Sequence, residues 1–549
     1  MQRIFVLLTL AVSIILTGCG ESQKIDLIVH NAKIYTVNES FAVAEAMAID
    51  KGKIIAIGAE NEIKNKYLAT EYVDAQKQAV YPGFIDVHCH FYHYAAFLQE
   101  LNLNGTTSFD DMITKIVEYS KTNTYEWILG TGWDQNDWDI KEFPTKEKLD
   151  ELFPNTPIYL TRVDGHAAIA NQKALDLAKI DINTTVNGGI IEKKNGKLTG
   201  ILLDNALEKI KAIIPAKTQQ QLTNELLVAQ QKLFEVGLTT IDEAGLDRKQ
   251  IELIEELHQS NQLKLKVYAM VSSTEELLDY YLQKGPYKTD RLNVSSFKFY
   301  ADGALGSRGA CLLQPYSDIL THAHFGLMLH EKEFYEKYAP LLYEKGFQMN
   351  THCIGDSANR QMIAIYQKVL KGSNDKRWRI EHAQVLDSVD FDLFANYNII
   401  PSVQPTHATS DMYWASDRLG NERIKNAYAY KKLLQQNGLI ALGTDFPIES
   451  INPMFTFYAA VERKDVKGFP ENGFQKENGL TREESLKGMT IWAAIANFEE
   501  TEKGSLEVGK SADFVMLNQD IMTVDEKAIL TTKVLLTFIN GEKVFSAEN

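Results

Sequence analysis

The chain has 549 residues, 45% of them hydrophobic and 24% charged. That length is about three to four typical domains and that composition is globular, which excludes wholesale disorder and a peptide-sized fold. Fifty-seven basic against 73 acidic residues give a formal charge of −16, which excludes a basic footprint for nucleic acid or an anionic membrane and leaves small neutral or cationic partners.

The first segment, Met1 to Ser22, carries Arg3, an apolar run from Ile4 to Leu16, and then Thr17-Gly18-Cys19. The run is too short to span a bilayer and fits the apolar core of an export signal. Leu16-Thr17-Gly18-Cys19 resembles the lipobox of bacterial lipoproteins. That resemblance implies removal of residues 1–18, lipidation of Cys19 and a lipid-anchored protein of the bacterial cell envelope. An ordinary signal peptide or an N-terminal anchor helix are the alternatives. With Cys19 set aside, Cys89, Cys311 and Cys353 remain, an odd number that speaks against a disulfide framework.

After a short polar tether, Asp26–His30, Ala32–Val37, Glu45–Ile49 and Ile54–Gly58 read as strands joined by turns. Near the other end, Phe514–Leu517 and Val534–Ile539 have the same character. The expectation is a small β-sandwich built from both termini, residues 19–83 and 501–549, around a central unit at 84–500. Within that unit, short apolar runs alternate with helical periods, the signature of repeated βα units. Eight such runs occur: Phe84–His88, Leu238–Asp242, Leu265–Ala269, Ser296–Tyr300, Phe347–His352, Trp378–His382, Ile399–Val403 and Leu439–Asp445. An α/β protein of eight units predicts a (β/α)8 TIM barrel. The stretch between the first two runs is too long for one helix. It holds strand candidates Trp127–Gly130 and Pro157–Thr161 and the turn-rich Asn187-Gly188-Gly189, and it reads as an insertion over the barrel mouth at about 102–230.

The twelve histidines are placed selectively. His88 and His90 are two apart on the first run and so share a face. Lys298 lies in the fourth run, His352 ends the fifth, His382 the sixth and Asp445 the eighth, where TIM-barrel active sites sit. Neutral imidazole and carboxylate are good donors to a divalent metal, Zn²⁺ above all. A buried lysine amine is held neutral by desolvation and can take up carbon dioxide as a carbamate. Each residue alone has a structural explanation, a core histidine, a snorkelling lysine or a turn aspartate; their joint occurrence in strand order points to a metal site.

Tyr81-Pro82-Gly83-Phe84-Ile85-Asp86-Val87-His88-Cys89-His90 resembles the opening metal motif of the amidohydrolase superfamily. The segment from Lys298 to Arg308, Thr351–Asp356, Arg379–Ala383 and Gly443–Pro447 resemble, in order, later motifs of its amidohydrolase-3 branch, the YtcJ-like family that includes N-substituted formamide deformylase. The resemblance covers nearly the whole mature chain. It implies one or two divalent metal ions held by His88, His90, a carboxylated Lys298, His352, His382 and Asp445, with Asp445 also serving as general base and acid. It further implies that His166, in Asp164-Gly165-His166, polarises the substrate carbonyl. Trp133, Asn171, Asp302, Arg308 and His407 are then candidates for substrate contact or support. Ala304 departs from the family, in which serine is frequent.

The function expected from this reading is metal-dependent hydrolysis of a non-peptide amide bond, in an N-formyl or N-acyl amine. The partners are a small-molecule amide and, through Cys19, a membrane, with no nucleic acid and with a homodimer left open. Deamination or cyclic-amide opening on the same scaffold is one alternative, though Thr351-His352-Cys353-Ile354 offers no adjacent glutamate. A decayed binding lipoprotein is the other. Phe91, Tyr92, Trp133, Trp138 and Trp414 are candidate walls of an aromatic pocket.

Overall fold

A computed structural model describes residues 22–122, 126–163, 165, 167–186, 189–215 and 217–547. Cys19 with its export segment, Asp164, His166, Asn187 and Gly188 lie outside the described residues. The central sheet has nine strands, eight of them a parallel ladder: β1 (Phe84–Cys89), β2 (Leu238–Leu246), β3 (Lys266–Ser272) and β4 (Leu292–Tyr300, with the short antiparallel strand Tyr287–Lys288 beside it), followed by β5 (Gln348–Cys353), β6 (Arg379–His382), β7 (Ile400–Val403) and β8 (Ala441–Leu442). Each pairs in parallel with the next. Every residue of β1, β6, β7 and β8 is buried, as expected of a parallel sheet covered by helices. The helix Arg248–Gln259 shows how the cover is made. Asp247 and Gln250 close a capping box at its start, and Ile251, Leu253, Ile254 and Leu257 face inward.

The eight strands curl into a nearly closed barrel, with β1 and β8 at the ends of the ladder. Side chains and single backbone bonds close that seam. Asp445 N donates to His88 O and His90 N to Phe446 O, both at 2.8 Å. The Asp86 carboxylate accepts from Thr444 N at 3.0 Å, Thr444 Oγ1 at 2.7 Å and His88 N at 3.1 Å. A Cβ on Gly443 would lie 2.7 Å from Asp86 Oδ1 and 2.8 Å from His88 N, so glycine permits the approach. The final run predicted at Leu439–Asp445 therefore pairs over only Ala441–Leu442 before the chain turns, with φ 63° at Asp445.

The two ends of the chain meet. One sheet orders Lys53–Gly58, Ala46–Asp50, Gln23–His30 and Tyr67–Asp74; another orders Glu542–Ser546, Val534–Ile539, Phe514–Leu517, Ala79–Pro82, Lys33–Tyr35 and Val43–Ala44. Leu27, Met47 and Ile49 of the first share a buried cluster with Ile34, Val80, Phe514 and Phe538 of the second. Between β1 and β2 a separate six-stranded sheet runs from Leu101–Asn102 to Lys197–Asp204. It has its own core around Trp133, Trp138, Leu160 and Ile201. Cys89, Cys311 and Cys353 are all unpaired thiols. Among the described residues no helix is long and apolar enough to cross a membrane.

Candidate metal centre

The carboxyl ends of the barrel strands bring His88, His90, Lys298, His352, His382 and Asp445 to one place. They line a cavity of about 760 Å³ together with His407 and Glu449. The His88 and His382 rings are 4.8 Å apart between centroids, and those of His352 and His382 4.6 Å. One donor atom each from His88, His382 and Asp445 fall within 4.8 Å of one another. Backbone geometry serves this convergence: His382 and Asp445 take φ values of 72° and 63°. Such conformations are costly for residues with a Cβ and persist where the surrounding structure imposes them.

The rings are aimed by their other nitrogens. His88 Nδ1 lies 2.6 Å from Glu381 Oε2, which also accepts from Ser402 Oγ at 2.5 Å. His382 Nδ1 lies 2.7 Å from Gln404 Oε1. With Nδ1–H donating in each case, both Nε2 lone pairs face the cavity, as in metal sites with oriented histidines. His88 Nε2 is 2.7 Å from Lys298 Nζ. Asp445 places Oδ1 3.2 Å from His90 Nε2 and 3.7 Å from His88 Nε2, and Oδ2 3.3 Å from His407 Nε2. His407 Nδ1 is in turn 3.2 Å from Glu449 Oε1.

Two observations show that this donor set fits a divalent cation. Asp445 Oδ1 and His352 Nε2 are buried and lack a hydrogen-bond partner, which is costly unless something else satisfies them. The protonation states also suit a cation. Burial holds the imidazoles of His88 and His382 well below their ordinary pKa and, with the Lys298 charge, brings His352 down to about 3. Burial likewise lowers the Lys298 ammonium, partly offset by Glu381 and Asp445. Burial opposes the charge on Asp445, but the imidazoles of His407, His90 and His88 outweigh it and hold the carboxyl well below its usual range. Neutral nitrogens and an ionised carboxylate are the forms that bind Zn²⁺. Replacing Glu381 with glutamine is expected to weaken zinc binding about 10- to 100-fold by loosening the His88 ring. A chelator competition titration measures this, and an unchanged affinity would show that His88 needs no carboxylate behind it.

Several sequence expectations are corrected. Trp133 is fully buried in the core of the inserted sheet, donates Nε1–H to Leu160 O at 2.9 Å and does not line the cavity. Trp138 packs beside it, 5.9 Å away between centroids. Asp302 is buried and accepts from the backbone N–H groups of Cys311, Ile354 and Gly355 at 2.8–2.9 Å; it ties together the loops after β4 and β5. Arg308 pairs with Asp318 at 2.7 Å and does not line the cavity. Asn171 caps the helix Gln172–Leu177 by accepting from Ala174 N. Phe91 and Tyr92 are buried, the Tyr92 hydroxyl donating to Gln250 O. His407 and Trp414 do line the cavity, and Val163 brings the inserted sheet to its mouth.

The sequence reading missed Glu381, Gln404, Ser402 and Glu449. Glu381 was legible in part, because Arg379 and Glu381 alternate on one face of the run, with Trp378 and Ile380 on the other. The partner of Glu381, 293 residues away in the chain, was not.

Residues 71–545 match the family described as "Amidohydrolase family". The chain is 30% identical over 532 residues to the candidate amidohydrolase YtcJ of Bacillus subtilis (strain 168), covering 94% of this chain and 98% of that protein. It is 26% identical over 546 residues to N-substituted formamide deformylase of Arthrobacter pascens, covering 95% and 98%. Among solved structures, an uncharacterized metal-dependent hydrolase from Pyrococcus horikoshii OT3 superposes with a TM-score of 0.78 at 27% identity, covering 91% of this chain and 99% of that one. With the barrel and its strand-end donors, these matches establish that the chain belongs to the amidohydrolase family, as a hydrolase acting on carbon–nitrogen bonds.

Proposed function

We propose that this protein hydrolyses the amide bond of an N-formyl or N-acyl amine with the help of a divalent metal. The observation that carries the reading is the set of converging donors of His88, His382 and Asp445, within 4.8 Å of one another at the floor of a substrate-sized cavity. In this reading His88 and His90 would hold one ion and His352 and His382 a second, and Lys298, whose charged form burial disfavours, would take up carbon dioxide to offer a carbamate as a further ligand. The cation, with zinc the best match to these donors, supplies Lewis acidity and lowers the pKa of water.

The remaining work falls to the chain. Asp445 takes the proton from the attacking water and returns it to the nitrogen of the departing amine. His407 holds Asp445 Oδ2 in position. His166 is assigned the substrate carbonyl. The name of the Arthrobacter relative, a formamide deformylase, supports a small acyl group. Cys19 is assigned the lipid anchor in the cell envelope. The terminal sheets are assigned to one β-sandwich domain and the inserted sheet to a cover over the barrel mouth.

The test is metal removal. Dialysis against a chelator is expected to abolish release of amine from an N-formyl amine, and added Zn²⁺ to restore it. Lys298→Ala is expected to lower the metal content measured by plasma mass spectrometry. Full activity in protein stripped of metal would overturn the reading.

A further inference from the structure

The cavity above the metal-ligand cluster is lined by two kinds of side chain. Val163, Tyr300, Leu305, Trp414 and Ile448 give it apolar surface. Val163 and Ile448 are 56% and 69% exposed, so this surface continues to the rim. Trp414 is held in place: a Cβ on Gly306 would lie 3.2 Å from its ring, and the Arg418 guanidinium sits 5.6 Å from the ring centroid on the way to its ion pair with Asp318.

The remaining lining is acidic. Glu449 Oε1 accepts from Ser410 Oγ at 2.6 Å and faces His407 Nδ1. Asp411 Oδ2 accepts from Tyr428 Oη at 2.8 Å and Gln384 Nε2 at 3.3 Å. Among the described residues that line the cavity, the sole lysine or arginine is Lys298. It is 1% exposed and lies against His88 at the floor. Glu449 and Asp445 flank the imidazole of His407, Asp411 is held by Tyr428 and Gln384, and among the described residues that line the cavity no guanidinium or ammonium reaches its upper part.

We propose that Glu449 is a specificity determinant which, with Asp411, restricts this site to amides bearing no carboxylate beside the scissile bond, their apolar substituent packing on Trp414, Leu305 and Ile448. The substrate class rests on the amide-hydrolase reading above. Sites that accept a carboxylate meet it with a guanidinium fork or an ammonium. Here an anionic substituent loses its water against a like charge and gains no cation, which is how binding sites select against a wrong partner. An apolar or neutral substituent escapes that like-charge cost and buries its surface on the apolar lining.

The experiment uses the zinc-loaded enzyme and three formamides of one skeleton: N-formylphenylalanine, its carboxamide and N-formylphenethylamine. Affinity is read by calorimetry and turnover by release of formate. The anion is expected to bind on the order of 100-fold more weakly than the carboxamide, which has nearly the same bulk. Glu449→Gln is expected to narrow that ratio at least about tenfold, and Asp411→Asn to narrow it in the same direction. This ratio responds to charge, which a merely structural role would leave unmoved. The same order of binding without turnover would support the charge selection and remove the amide-hydrolysis reading. Equal binding of anion and carboxamide, a ratio unchanged in both variants, or no binding of any of the three would overturn the proposal.

Discussion

Asp445→Asn is expected to slow amide hydrolysis by about 10²- to 10⁴-fold, the usual contribution of a positioned general base and acid. The carboxylate is suited to that role by its surroundings. Oδ2 meets His407, Oδ1 lies among His90 and His88 without a hydrogen bond of its own, and the group is 8% exposed. An asparagine keeps the shape and the contact to His407 but neither accepts a proton at working pH nor carries it to the departing nitrogen. Metal content and single-turnover rate are to be measured together, because loss of the metal would mimic loss of the base. A variant that retains zinc and turns over within tenfold of the parent would remove Asp445 from proton transfer.

Arg379→Met is expected to cost about 3–5 kcal/mol of stability, the range for removing one partner of a buried ion pair. Arg379 on β6 is fully buried. Its Nη1 lies 2.8 Å from Asp242 Oδ2 on β2 and 3.9 Å from Glu381 Oε1, and its Nη2 donates to Ala496 O and Asn497 Oδ1. It therefore joins opposite sides of the barrel interior and offsets two carboxylates that water cannot reach. Methionine fills much of the space but removes the one guanidinium that faces both acids, leaving Asp242 only the amide of Asn497.

The loss should depend on pH, with a sign that follows from Asp242. Burial pushes its carboxyl up to about 7 even with Arg379 opposing the shift. A carboxyl with a raised folded-state pKa binds its proton more tightly when folded. Stability then falls as pH rises from the unfolded value near ~4 through the folded one, at up to about 1.4 kcal/mol per pH unit. Without Arg379 the folded value rises further and the window widens upward. Urea midpoints followed by near-ultraviolet circular dichroism should show a larger penalty at pH 8 than at pH 5.5, with part of it recovered in Asp242→Asn/Arg379→Met. A penalty independent of pH would show that lost packing, not the buried carboxylate, is the cause.

These two residues illustrate what was legible at different distances along the chain. Asp445 stood out because it ends the eighth apolar run after a Gly-Thr pair, a pattern contained in a few neighbouring residues. Arg379 stood in a motif of its own, but its purpose lies in Asp242, 137 residues away. The strand runs were read to within a few residues at most ends, because alternation and apolar clustering are local. The strands Tyr67–Asp74, Ala79–Pro82 and Glu542–Ser546 were missed. The first has several exposed side chains, so its strand character comes from its partner Gln23–His30 rather than from a buried face.

The candidates that lie off the cavity lining share one trait. Trp133, Asn171, Asp302 and Arg308 are residue types that serve either substrate or scaffold, and sequence position does not tell which. Asp302 follows the β4 segment closely, as an active-site aspartate would, yet its carboxylate points into three backbone N–H groups. Backbone donors hidden from water must be satisfied, and in this loop the aspartate satisfies them.

By itself, then, the sequence determined the α/β alternation, the eight strand cores and the order of imidazole, lysine and carboxylate along them, because each is written in periodicities of a few residues. Tertiary structure alone decided that Glu381 and Gln404 aim the His88 and His382 rings, that Asp86 and Gly443 close the barrel, and that Trp414 and Glu449 line one cavity. These are contacts between segments tens to hundreds of residues apart, set by how the strands register and the loops return, and no local pattern encodes them.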